Sequence, residues 1–162
     1  MHAVTKYLHH LRKQSCGIAL LLASVVVLPA CQVVSEPPSP PSPLRGQVTL
    51  LAQALVGIPY HYGGVDIDGF DCSGFVRYVY GAFGVELPHS ARAQSRLKPR
   101  VDLAQAQPGD LLVFRLRRTW HSAIYLGEGR FVHSPSRGGR VRIETLDAYW
   151  LPRLKAAVAP LE

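Results

Sequence analysis

The sequence predicts an α+β domain, with helices first and an antiparallel sheet after them. Two observations carry this. Apolar residues recur at helical spacing as far as residue 83. After Pro108-Gly109 the pattern changes to short β-rich runs separated by glycine turns, the order of an α+β fold and not of a doubly wound one. The length of 162 residues suits one domain, and 48% hydrophobic with 18% charged residues is globular composition.

The N-terminus reads as an address ahead of that domain. Lys6, Arg12 and Lys13 form a basic start, residues 16–28 are apolar and uncharged, and Leu28-Pro29-Ala30-Cys31 follows. This is the layout of a secretory signal, and the run is too short to cross about 30 Å of hydrocarbon comfortably. The cysteine after Leu-Pro-Ala resembles a bacterial lipoprotein box. That resemblance implies cleavage after residue 30 and lipidation of Cys31, with more than one acyl chain for a stable membrane anchor. Gln32 in place of aspartate implies export to the outer membrane, with the domain facing the periplasm. Residues 31–43 then form the lipidated cysteine and a tether. Five prolines in the nine residues 35–43 exclude a helix interior and favour extended polyproline II.

Charge excludes little. The net +7 includes three basic residues and no acids within residues 1–30, so the remaining chain carries +4, which does not call for nucleic acid.

Residues 44–162 are the expected globular part, without internal repeats. Leu44, Val48, Leu51, Leu55 and Ile58 mark a first helix, ended by Gly57-Ile58-Pro59. Cys72, Phe75, Val76, Val79, Tyr80 and Phe83 form the stripe of a second, with Gly84 placed as its C-terminal cap. A short polar helix is expected over residues 90–97. Strands are expected at 111–114, 122–126, 130–133 and 141–144.

The second helix carries the chemistry. Gly69-Phe70-Asp71-Cys72-Ser73-Gly74 puts the one cysteine outside the leader and the anchor at a helix start, where unpaired N–H groups and the dipole favour thiolate. A thiol nucleophile needs a base, and the base needs an orienting partner. Of His61, His89, His121 and His133, the last two lie on adjacent strands. A three-residue loop at Gly127-Glu128-Gly129 pairs Leu126 with Arg130 and so Ala123 with His133. Both imidazoles then share one face of the sheet; a two-residue loop would separate them. A relay of Cys72, His121 and His133 follows. His61 and His89 are read as surface or core residues. A zinc site built on the relay lacks standard spacing, so no metal or cofactor is expected.

Several blocks fall in order: Gly57-Ile58-Pro59-Tyr60-His61-Tyr62-Gly63-Gly64, Asp71-Cys72-Ser73-Gly74-Phe75, Leu87-Pro88, Gln94, Pro108-Gly109-Asp110-Leu111, His121-Ser122-Ala123-Ile124-Tyr125-Leu126-Gly127 and Phe131-Val132-His133. Together they resemble the NlpC family of papain-like cell-wall cysteine peptidases, over essentially all of residues 44–162. The resemblance implies a papain-like α+β fold. It also implies hydrolysis of an amide bond in peptidoglycan stem peptides or cross-links, D-Glu to diaminopimelate or D-Ala to diaminopimelate. Position by position it makes Cys72 the nucleophile, His121 the general base and His133 the orienting residue. Tyr60 matches a tyrosine that supports the oxyanion. Asp71 and Ser73 match positions that bind substrate in some members, although either could equally cap the helix. Asp110 is expected to hold a turn. His89 stands where arginine is usual, and the loop 115–119 is short and carries three arginines, both at expected substrate walls. Rival readings are a non-catalytic peptidoglycan-binding or scaffold lipoprotein, and an amidase or acyltransferase on the same fold. A monomer is expected.

Overall fold

The computed structural model describes residues 42–161, apart from residue 137. Cys31 and most of the proline-rich tether lie outside the described residues. Among those described, no helix is long and apolar enough to cross a membrane.

The first helix, α1 (Pro43–Ala54), opens on the last proline of the tether. Its missing N–H costs nothing at the first helical position, and the Ser42 side chain caps the Arg45 N–H. Val48, Thr49 and Ala52 are buried, and so is Arg45. Arg45 Nη1 lies 2.5 Å from Asp110 Oδ1, an ion pair almost wholly out of solvent. Asp110 Oδ2 also accepts the Gln107 N–H at 2.8 Å, and the Tyr80 hydroxyl donates to the Gly109 carbonyl. Asp110 thus holds the Pro108-Gly109 turn, as expected, and additionally docks α1 onto it.

A two-stranded hairpin, β1 (Val65–Asp66) and β2 (Gly69–Phe70), leads into α2 (Cys72–Gly81). The stripe of α2 is buried as its spacing requires, with Phe75, Val76, Val79 and Tyr80 inaccessible. The chain leaves α2 through a Schellman turn. The Gly84 N–H donates to Gly81, the Val85 N–H donates to Tyr80, and Gly84 takes φ +77°. The expected helix over 90–97 is shorter, α3 (Ala91–Gln94), with Ser90 capping the Ala93 N–H.

The remaining strands are β3 (Arg100–Val101), β4 (Leu111–Arg115), β5 (Trp120–Gly127), β6 (Arg130–His133), β7 (Arg142–Thr145) and β8 (Leu154–Val158). They form one antiparallel sheet in the order β3-β8-β4-β5-β6-β7. The four expected strands are present within two residues of their expected ends. β3 and β8 were not expected. β8 reads Leu-Lys-Ala-Ala-Val, too short and alanine-rich to announce itself, yet it sits inside the sheet between β3 and β4. Each face of the sheet is covered. Leu111, Val113, Ile124 and Val132 pack on the helices, while Leu112, Phe114, Phe131 and Trp150 form a second cluster on the other side.

The β5–β6 turn differs from expectation and reaches the same end. Gly127 pairs directly with Arg130, so the loop has two residues, Glu128 and Gly129, at φ 52° and 70°. Both being left-handed makes it the primed turn that suits strand twist. A register shift between Tyr125 and Gly127 inserts one residue, after which Tyr125 faces Phe131 and Ile124 faces Val132. Continued, that register sets Ala123 opposite His133, as the three-residue loop would have done.

Candidate active site

Cys72 is the first residue of α2, and Asp71 is its N-cap. Asp71 Oδ1 accepts the Gly74 N–H at 2.7 Å and the Ser73 hydroxyl at 3.0 Å. Its Oδ2 accepts the Gly63 N–H at 3.2 Å and lies 2.9 Å from His89 Nε2. One carboxylate therefore ends the helix, holds the loop before β1 and holds the segment after α2. These contacts engage both oxygens of Asp71 inside the domain: Asp71 caps α2, and the Ser73 hydroxyl donates to that cap. Ser73 is buried, and its carbonyl accepts from Gln94 Nε2 at 3.2 Å.

Gly74 allows the preceding loop to lie against this helix turn. A Cβ at residue 74 would stand 2.0 Å from the Gly64 carbonyl oxygen, closer than any real contact. Tyr60 belongs to that loop. Its N–H donates to Gly139 at 2.8 Å and it bridges to Phe70, so a half-buried tyrosine is held beside the strand that leads into Asp71-Cys72. Ser134, which follows His133, donates its hydroxyl to the Phe70 carbonyl at 2.7 Å. The strand bearing one histidine is thereby tied to the segment bearing the thiol.

The sheet supplies the other half. β6 ends at His133, leaving the β6 side of β5 open at Trp120–Ser122, and the thiol lies along it. Cys72 Sγ is 4.0 Å from the Trp120 carbonyl, and the Ser122 backbone hydrogen-bonds to the sulfur. These two residues flank His121. His121 and His133 are both buried, with Nε2 of His121 at 2.6 Å from Nδ1 of His133. Nδ1 of His121 is the ring nitrogen not engaged by His133. Trp150 packs against both imidazoles, with ring centroids at 5.6 and 5.4 Å.

Burial dominates the electrostatics. It pushes the Cys72 thiol above its ordinary value; hydrogen bonds from the Ser122, Ser73 and Cys72 backbone pull down, and the Asp71 charge adds to the rise. The thiolate-favouring effect expected of a helix start is thus outweighed by desolvation. Burial likewise lowers His121 and His133 to about 3; for His121 the His133 and Arg142 charges act in the same direction and Glu144 opposes them, and for His133 Arg142 adds to the fall. Burial thus favours the neutral forms of both thiol and imidazole. Such a pair can act by general-base catalysis, the proton leaving as sulfur attacks.

Two residues to which the sequence assigned no part in the relay stand at the site. His89 reaches Asp71 through the fold, and Glu144 stands behind His133 with Oε1 3.5 Å from Nε2. Alternation over 142–145 sets Arg142 and Glu144 on one face, but the eight residues between β6 and β7 leave their register undetermined from sequence. Only the pairing of His133 with Arg142 brings that face to the imidazoles. Among the described residues no group of three or more His, Cys, Asp or Glu side chains could hold a metal ion.

A thiol at a helix N-terminus, set against a strand whose histidine is paired to a second histidine, defines a site of the papain-like type. The chain belongs to the NlpC/P60 family, whose model matches residues 57–159. It is 40% identical over 104 residues to a probable endopeptidase of Mycobacterium tuberculosis, covering 64% of this chain and 27% of that protein. It is 30% identical over 141 residues to the probable endopeptidase NlpC of Escherichia coli, covering 81% and 91%. To the murein DD-endopeptidase MepS/murein LD-carboxypeptidase of Escherichia coli it is 36% identical over 103 residues, covering 62% and 55%. The chain thus spans about a quarter of the mycobacterial relative. A crystal structure of an NlpC/P60 family protein from Bacillus cereus superposes with a TM-score of 0.70 at 31% identity, over 75% of this chain and 42% of that one. The papain-like α+β architecture expected from the sequence is the fold of this family.

Proposed function

We propose that this chain is a cell-wall cysteine endopeptidase that hydrolyses an amide bond in peptidoglycan stem peptides or cross-links. The observation that carries the reading is the Cys72 thiol lying along β5 at either side of His121, with His121 hydrogen-bonded to His133. Family membership supports the reaction class, and the murein-cleaving name of one relative supports the polymer.

In this reading Cys72 Sγ attacks the scissile carbonyl carbon as His121 Nδ1 takes the thiol proton. The Cys72 N–H at the start of α2, together with the Tyr60 hydroxyl, stabilises the oxyanion. The imidazolium of His121 then gives its proton to the leaving amine. Water, deprotonated by the same imidazole, hydrolyses the thioester and restores the thiol. His133 orients His121 throughout. Anchoring through a lipidated Cys31, with the domain on a polyproline tether facing the periplasm, brings it to the polymer and rests on the leader sequence alone.

Digestion of purified sacculi, with released peptides identified by mass, tests the proposal. Wild-type protein is expected to release peptides heavier by one water per bond cut, and Cys72→Ala none. Undiminished release by Cys72→Ala, or products carrying a transferred group in place of water, would overturn it.

A further inference from the structure

We infer that Glu144 is a positioning residue of this site, its carboxylate setting the tautomer of His133 and, through it, that of His121. The inference rests on the reading of Cys72 as nucleophile and His121 as base.

The argument is an accounting of protons on four ring nitrogens. A base that accepts the thiol proton at Nδ1 must carry its own proton at Nε2. His121 Nε2 is 2.6 Å from His133 Nδ1, so that N–H must donate and His133 Nδ1 must accept. His133 is then obliged to hold its proton at Nε2. This nitrogen is fully buried and makes no hydrogen bond among the described residues, and the group facing it is Glu144 Oε1, at 3.5 Å. The donors point one way, from Cys72 to Glu144. The opposite tautomer of His133 would put a proton on Nδ1, turn His121 Nε2 into an acceptor and place the His121 proton on Nδ1, where it blocks the thiol.

Glu144 is itself built in. Its Oε2 accepts the Trp150 indole N–H at 2.7 Å, and its Oε1 accepts from Arg142 Nε at 2.5 Å. Trp150 is buried against both imidazoles, so one side chain spaces the rings and aims the carboxylate. Arg142 pairs with the carboxylate and holds it in place. A gap of 3.5 Å is long for a hydrogen bond, and a charged imidazole would attract the carboxylate more strongly than a neutral one.

The test uses the full chain labelled with 15N at histidine, as wild type, Glu144→Gln and Glu144→Ala. Imidazole 15N shifts report the tautomers, and turnover of isolated muropeptides reports kcat and KM. Wild type is expected to show both histidines protonated at Nε2. Glu144→Ala is expected to distribute the His133 proton over both nitrogens and to lower kcat by roughly tenfold or more, by analogy with lost outer-sphere partners of functional imidazoles, with KM little changed. Glu144→Gln, nearly isosteric and able to accept through its amide oxygen, should recover the Nε2 tautomer and part of kcat. Unaltered tautomers in Glu144→Ala, or a change in KM alone, would overturn the inference. Should the wild type release nothing from muropeptides, the functional reading fails, and the nitrogen shifts still decide the role of Glu144.

Discussion

The imidazoles of His121 and His133 meet edge to face, with ring planes at 89° and Nε2 of one 2.6 Å from Nδ1 of the other. That single contact converts two strand residues, twelve apart in sequence, into one proton-handling unit. It exists because the two-residue turn at Glu128-Gly129 and the irregularity beside Tyr125 compensate each other in register.

The pair predicts unequal costs of substitution. His121→Ala removes the base and should reduce kcat for muropeptide cleavage by about 10²–10⁴-fold. His133→Ala leaves the base but frees its tautomer and should cost less, with His133→Asn partly rescuing through its amide. Steady-state kinetics check the order; equal losses in His133→Asn and His121→Ala would contradict it.

The same pair predicts acid sensitivity. Both imidazoles have folded-state values lowered from the ordinary 6.5 to about 3. Below pH 6.5 the unfolded chain binds protons that the folded one refuses, so stability present above pH 6.5 is lost as pH falls toward 3. Thermal melts from pH 7 to pH 4 should show a falling Tm. A His121→Gln/His133→Asn variant should show a shallower fall.

Alkylation of Cys72 follows from its desolvation. A thiol pushed above its ordinary value holds little thiolate at neutral pH, so iodoacetamide should react slowly at pH 7 and faster toward alkaline pH. A rate already at its plateau at pH 7 would show a preformed thiolate.

Close packing at the start of α2 predicts a contrast between two glycines. Gly74→Ala drives a Cβ into the Gly64 carbonyl and should destabilise by roughly 1–3 kcal/mol, as overpacking does, while lowering turnover by displacing the loop that carries Tyr60. Gly81→Ala meets nothing within 4 Å at the other end of the helix and should be neutral or stabilising by up to about 1 kcal/mol. Melts and activity of the two variants check this.

Buried arginine shows where local pattern stops being informative. Arg45 lies on the inner face of α1, and no spacing rule places it there; its partner Asp110 is 65 residues away. β8 is a similar case. Its residues have weak strand preference, and it enters the sheet through pairing with β4, Leu111 opposite Val158. Long-range contacts of this kind are set by what surrounds a segment, and periodicity within the segment does not encode them.

The sequence by itself determined the helix that begins at Cys72, its apolar stripe and the glycine that closes it, whereas the shared face of His121 and His133 rests on the irregularity beside Tyr125 that the expected loop did not include. Helix, stripe and glycine each follow from spacing or turn chemistry within a few residues. Only the tertiary structure decided that burial raises the Cys72 thiol, that Asp71 clamps two loops as well as capping the helix, and that Glu144 and Trp150 stand behind the histidines. Those depend on burial and on which distant strands become neighbours. Desolvation outweighs the helix dipole at Cys72 because it is imposed by the whole packed environment, of which the helix start is one part.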